Sequence, residues 1–149
     1  MAKFRYRMQS VLDVKLKLEE QAKNEFAQAQ LRLNEEEDKL QALFDRKASY
    51  EEEAVAMRQA SLHVLDILAN QEAIIRMDEY IAAQYEVIER QKEVVEEKRR
   101  SLTLVMQERK GQEKLKEKAF QEFVKEQNAL ESKEIDELVS YTYGQKKEA

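Results

Sequence analysis

The chain contains no proline, and its only glycines are Gly111 and Gly144. Proline and glycine are the residues with which globular folds make corners. A chain of 149 residues almost without them cannot turn often enough to wrap a compact multi-element core. One or two very long helices remain. The composition agrees: 38% of the residues are Asp, Glu, Lys or Arg, and there is no tryptophan. That is enough apolar matter for a narrow seam between helices and too little for a broad core or a buried cleft.

The apolar residues recur at coiled-coil spacing. In the first half a seam steps alternately by four and three through Met8, Leu12, Lys15, Glu19, Ala22, Phe26, Ala29, Leu33, Glu36, Leu40, Leu43, Lys47, Tyr50, Ala54 and Met57. In the second half a strict seven-residue repeat runs through Ile74, Ile81, Ile88, Val95 and Leu102. Such a repeat keeps one edge of a helix turned toward a partner when the pair supercoils left-handedly. The repeat then passes through Arg109 and Lys116 before Phe123 and Leu130 restore it. Gly111 lies in this weak zone, where a helical glycine costs about 1 kcal/mol against alanine. The segment from Arg109 to Gln112 is the expected bend.

The two seams are separated by residues 57–64. Ser61 has the hydroxyl of a helix cap, and Asp66 would follow it near a new N-terminus, where the helix dipole favours negative charge. The reading is an all-α protein, with two long helices in an antiparallel coiled-coil hairpin and the second helix longer than the first; the rival is one unbroken rod that dimerises. The hairpin is taken as one unit over 1–149, with a first arm over about 5–58, a corner over about 58–63, a second arm over about 63–140 and a frayed tail over 141–149. At 1.5 Å per residue the arms would measure roughly 75 and 120 Å. The second arm then overhangs the first, and its overhang carries Phe120, Phe123, Val124, Leu130, Ile135 and Leu138. Long exposed apolar stripes mark interfaces. A further edge, Ala73, Met77, Tyr80 and Gln84, lies beside the main seam, with Leu43 and Tyr50 at similar height on the other arm. It either widens the seam or forms an interface, since Met and Tyr suit adaptable surfaces.

Several function classes are excluded. Acidic and basic residues interleave at a net charge of −5, so there is no basic face for nucleic acid. Cysteine is absent, and with it every disulfide and thiolate site. No apolar run follows the basic N-terminus, so no signal peptide is expected, and none approaches the roughly 18 residues of a membrane span. His63 is the only histidine, which precludes a histidine metal pair or a triad. No glycine-rich phosphate loop is present. No catalytic residue, metal or cofactor is expected, and function must lie in binding. A stalk or adaptor, a plain coiled-coil spacer or homodimerisation module, and a membrane-surface rod remain. The Glu-rich polar faces disfavour the last.

The opening Phe4-Arg5-Tyr6-Arg7-Met8-Gln9-Ser10-Val11-Leu12-Asp13, followed by Glu19-Glu20 and an alanine-rich arm, resembles the flagellar export protein FliJ family, with Met8 where the family has leucine. Glu108-Arg109-Lys110, Leu115-Lys116-Glu117-Lys118 and Lys133 with Asp136-Glu137 are similar to the family's closing pattern. The resemblance implies a cytoplasmic component of the type III export apparatus, peripheral at its cytoplasmic face, with an antiparallel coiled coil like the stalk of rotary ATPases. It implies an open end that enters the hexameric export ATPase, a middle that contacts the cytoplasmic domain of the export gate, and a link to export chaperones. On this chain the ring-facing residues would be Phe4, Tyr6, Phe120, Phe123, Asp136 and Glu137. The gate-facing residues would be Leu43, Tyr50, Ala73, Met77, Tyr80 and Gln84.

Overall fold

The computed structural model describes residues 2–60 and 63–148, with side chains as far as residue 146. Among the described residues there are two helices, α1 over Gln9–Gln59 and the longer α2 over Val64–Glu148, and no strand. They pack against each other as a hairpin. Residues 61 and 62 of the expected corner, and with them the Ser61 cap, lie outside the described residues. Arg58 occupies the last turn of α1, where a cation suits the helix dipole. The His63 carbonyl accepts from the Ile67 amide at 3.1 Å and opens α2, with Asp66 in its first turn.

Two packing units are distinguished, each made from both helices. In the corner unit, residues 21–103, the apolar seams meet. Ala29, Leu33, Ile88 and Val95 form its buried core, with Phe26 and Leu40 packed against it. Met77 and Ile81 are buried as well. Among the fifteen seam positions read on the first arm, only Met8 is exposed; the others are buried or half-buried.

The second edge of α2 in this unit is polar, and it decides the register. The amides of Asn70, Gln84 and Gln91 donate to the backbone carbonyls of Tyr50, Glu36 and Ala29, at 2.9, 2.9 and 3.0 Å. The donors are spaced by fourteen and seven residues on α2, and the acceptors by the same steps on α1. An α-helical carbonyl has a second lone pair beyond its own helix bond, so each rung adds a bond without breaking one. Gln84 also donates to the Glu36 carboxylate at 2.6 Å. That bond, reinforced by the nearby Lys39 ammonium, holds the Glu36 carboxyl below the usual carboxylate range.

The terminal unit comprises residues 1–20 and 104–149. Its seam is held by charge. Arg109 makes a two-pronged pair with the buried Glu19 and reaches Glu113 at 2.9 Å, while Lys15 meets Glu108 at 2.7 Å. The weak zone of the repeat is thus a polar layer. α2 runs without interruption through Gly111, which has no positive φ and has open space where a side-chain methyl group would stand. The helix is unbroken at the expected bend, and the paired charges supply the contacts that apolar residues supply elsewhere. α2 also continues to Glu148, through the tail expected to fray. Bonds one turn apart, from Thr142 to the Leu138 carbonyl and from Gln145 to the Tyr141 hydroxyl, support it.

Candidate functional site: the aromatic cluster of the terminal unit

Residues 2–6 precede α1 in a non-helical conformation. The Gln9 amide donates to the Tyr6 carbonyl at 3.1 Å and turns the chain into the helix. An extended residue advances about 3.3 Å and a helical one 1.5 Å, so a few residues reach far along α2. Phe4 packs on Phe120 with ring centroids 5.2 Å apart, edge to face, and on Phe123 at 5.4 Å. Tyr6 donates its hydroxyl to the Gln112 carboxamide oxygen at 2.8 Å. Phe4 and Tyr6 are half-buried, whereas Lys3, Arg5 and Arg7 between and beside them are exposed.

This corrects one expectation. The N-terminal segment folds onto both rings and leaves Phe123 half-buried, while Phe120 stays 48% exposed beside Phe4. Cover then thins along α2: Val124 is already 38% exposed, and past Gln127 every described side chain is exposed. Leu130, Ile135, Leu138, Val139, Tyr141 and Tyr143 lie there. Asp136 and Glu137 are on the same stretch, both exposed, and about 20 Å along the helix axis from Phe123 at 1.5 Å per residue. Of the residues read as ring-facing, the four aromatics lie in one part of the terminal unit, and the two carboxylates stand apart from them.

The residues read as gate-facing divide. Met77 is 5% exposed and Gln84 is bound to Glu36, so both belong to the seam between the helices. Leu43, Tyr50 and Ala73 are half-buried. Tyr80, 54% exposed, is the one that faces outward. Of the two alternatives left open by the sequence, widening of the seam accounts for Met77 and Gln84. One exposed aromatic pair was missed: Phe44 and Tyr85 meet edge to face across the hairpin at 6.3 Å. Each lies one position after a seam residue, Leu43 and Gln84, which is the signal that marks it as a flank of the seam. Among the described residues there is no group of acidic, histidine or cysteine side chains placed to hold a metal ion, and no helix long and apolar enough to cross a membrane.

The family model for the flagellar FliJ protein matches residues 4–148. The chain belongs to the FliJ family. The match begins at Phe4, the residue that closes the aromatic cluster, and spans both helices. No curated protein and no solved structure matches the chain. Membership of this family implies a component of the flagellar export apparatus.

Proposed function

We propose that this chain is a non-enzymatic stalk of the flagellar type III export apparatus, acting at its cytoplasmic face. The terminal unit binds within the hexameric export ATPase, and the corner unit contacts the cytoplasmic domain of the export gate, with Leu43, Tyr50, Ala73 and above all Tyr80 at that contact. Handling of export chaperones belongs to the same adaptor role. One observation carries the ring reading. The terminal unit joins a stitched aromatic cluster to an uncovered apolar stretch of α2, and an exposed stripe of that size calls for a partner.

A single rod inside a six-membered ring cannot satisfy six equal subunits at once. It favours the ring arrangements that it binds best, and by no more than its difference in affinity between them. The effect is to bias which subunit interfaces bind or hydrolyse ATP.

The test is turnover of the export ATPase with and without saturating chain. Stimulation is expected, and unchanged turnover would refute the reading. The double change Asp136→Asn with Glu137→Gln, and separately Leu138→Ser, should weaken stimulation while circular dichroism stays the same, since these side chains are exposed. Phe120→Ala with Phe123→Ala should weaken it too, with some loss of order in residues 2–8. Tyr80→Ala should lower gate affinity and leave stimulation intact.

A further inference from the structure

We infer that the Phe44–Tyr85 pair is a docking site for a cationic side chain, an arginine or lysine carried on an amphipathic helix of a partner protein. This inference is independent of the ring and gate contacts proposed above. The two rings bridge α1 and α2 and remain 38% and 48% exposed. A substantial part of each ring therefore stays open to solvent while the pair joins the two helices.

The molecule contains its own example of such a site filled. Fourteen residues along α2 from Tyr85, on the same edge of a heptad helix, the Arg99 guanidinium stands over the Phe26 ring at 5.7 Å. At Phe44 and Tyr85 the neighbouring cations are engaged elsewhere. Lys47 is tied to Asp78 at 2.7 Å, a bond that also raises its pKa above the ordinary lysine value. Lys92 is tied to Glu89 at 3.3 Å. No cation among the described residues stands over either ring.

The rim selects the charge of the occupant. Glu37 lies one heptad before Phe44 and Glu51 one heptad after it, and both are exposed; Glu51 also stands 3.9 Å from Lys47, which Asp78 already pairs. With both lysines neutralised, the ring faces are bordered by net negative charge. An anionic lipid or nucleic acid is repelled there, and a neutral apolar helix gains nothing from the rim. A guanidinium gains twice, from the ring quadrupole and from carboxylates within reach of its fork.

The full chain is titrated by calorimetry with a helical Leu/Arg amphipathic peptide and with its Leu/Gln counterpart, at low and high salt. The Leu/Arg peptide should bind at least about tenfold more tightly, a difference of about 1.4 kcal/mol. Tyr85→Leu keeps an apolar side chain and removes the ring; it should weaken Leu/Arg binding roughly fivefold and leave Leu/Gln binding unchanged. Glu37→Gln with Glu51→Gln should flatten the salt dependence. Leu31→Ala, at an exposed position of the same unit, should leave the binding of both peptides unchanged. In the parent chain, the Phe44 and Tyr85 ring resonances should shift first as the Leu/Arg peptide is added, a readout that needs no variant to fold. Equal binding of the two peptides, or a Tyr85→Leu chain that binds like the parent, would overturn the inference. So would shifts confined to other residues. Self-association of the parent that is lost in Tyr85→Leu would overturn it in favour of a second copy of this chain.

Discussion

Asn70, Gln84 and Gln91 show how much a polar residue in a seam can specify. An apolar heptad tolerates sliding by a whole repeat, because each layer resembles the next. An amide that must meet one carbonyl does not, and a buried amide left without its partner is costly. Asn70→Leu removes that constraint and adds apolar burial. The expected result is stability unchanged within about 1 kcal/mol but a less unique register, seen as doubled amide resonances in the corner unit beside an unshifted melting point. Glu36 adds a pH dependence. Its folded pKa is lowered, chiefly by the Gln84 amide, so its contribution is complete above the ordinary carboxylate range and is lost as pH falls through the lowered value. In Gln84→Leu the urea midpoint should fall relative to the parent at neutral pH, and the gap should close in acid. A constant gap would mean that packing, not the charged bond, is the origin. None of these positions stands out to a search for hydrophobic periodicity, since the second edge of α2 mixes its amides with Met77, Lys98 and Val105.

At the scale of the helix, α1 and α2 draw stability from different sources in the two units. Ile88 is 4% exposed within the corner core, and Ile88→Ala should cost about 2–4 kcal/mol, read from denaturant unfolding followed by circular dichroism. Gly111 is a different case. It lies in a continuous helix with no backbone need for glycine and with free space for a methyl group. Gly111→Ala should stabilise the chain by about 0.5–1 kcal/mol. Destabilisation would show that the folded backbone needs glycine at this position. The N-terminal segment was harder to read. Alternation of Phe4 and Tyr6 with Lys3, Arg5 and Arg7 has the period of an extended strand, but which side it would cover depends on α2, more than a hundred residues away in sequence.

Over the whole molecule, the apolar core belongs to the corner unit and the charged layer to the terminal unit. Amide exchange should therefore be slowest around Leu33 and Ile88 and faster in residues 104–127. It should be fastest beyond Gln127, where every described side chain is exposed. Uniform exchange along α2 would contradict this division. Composition and the heptad steps alone determined that the chain is made of long helices with two seams that meet near residue 60, because burial of an apolar edge is periodic and local; the packing of the two helices decided for a hairpin over a single dimerising rod. The family likeness was legible at both ends for the same reason: motifs are local strings. Only the tertiary structure decided which polar residues complete the seam, that Phe4 packs on Phe120 and Phe123, that Met77 and Gln84 face inward, and that Phe44 meets Tyr85 in the open. Those outcomes depend on the lateral offset between two helices and on the reach of an extended segment, distances that no single stretch of residues encodes.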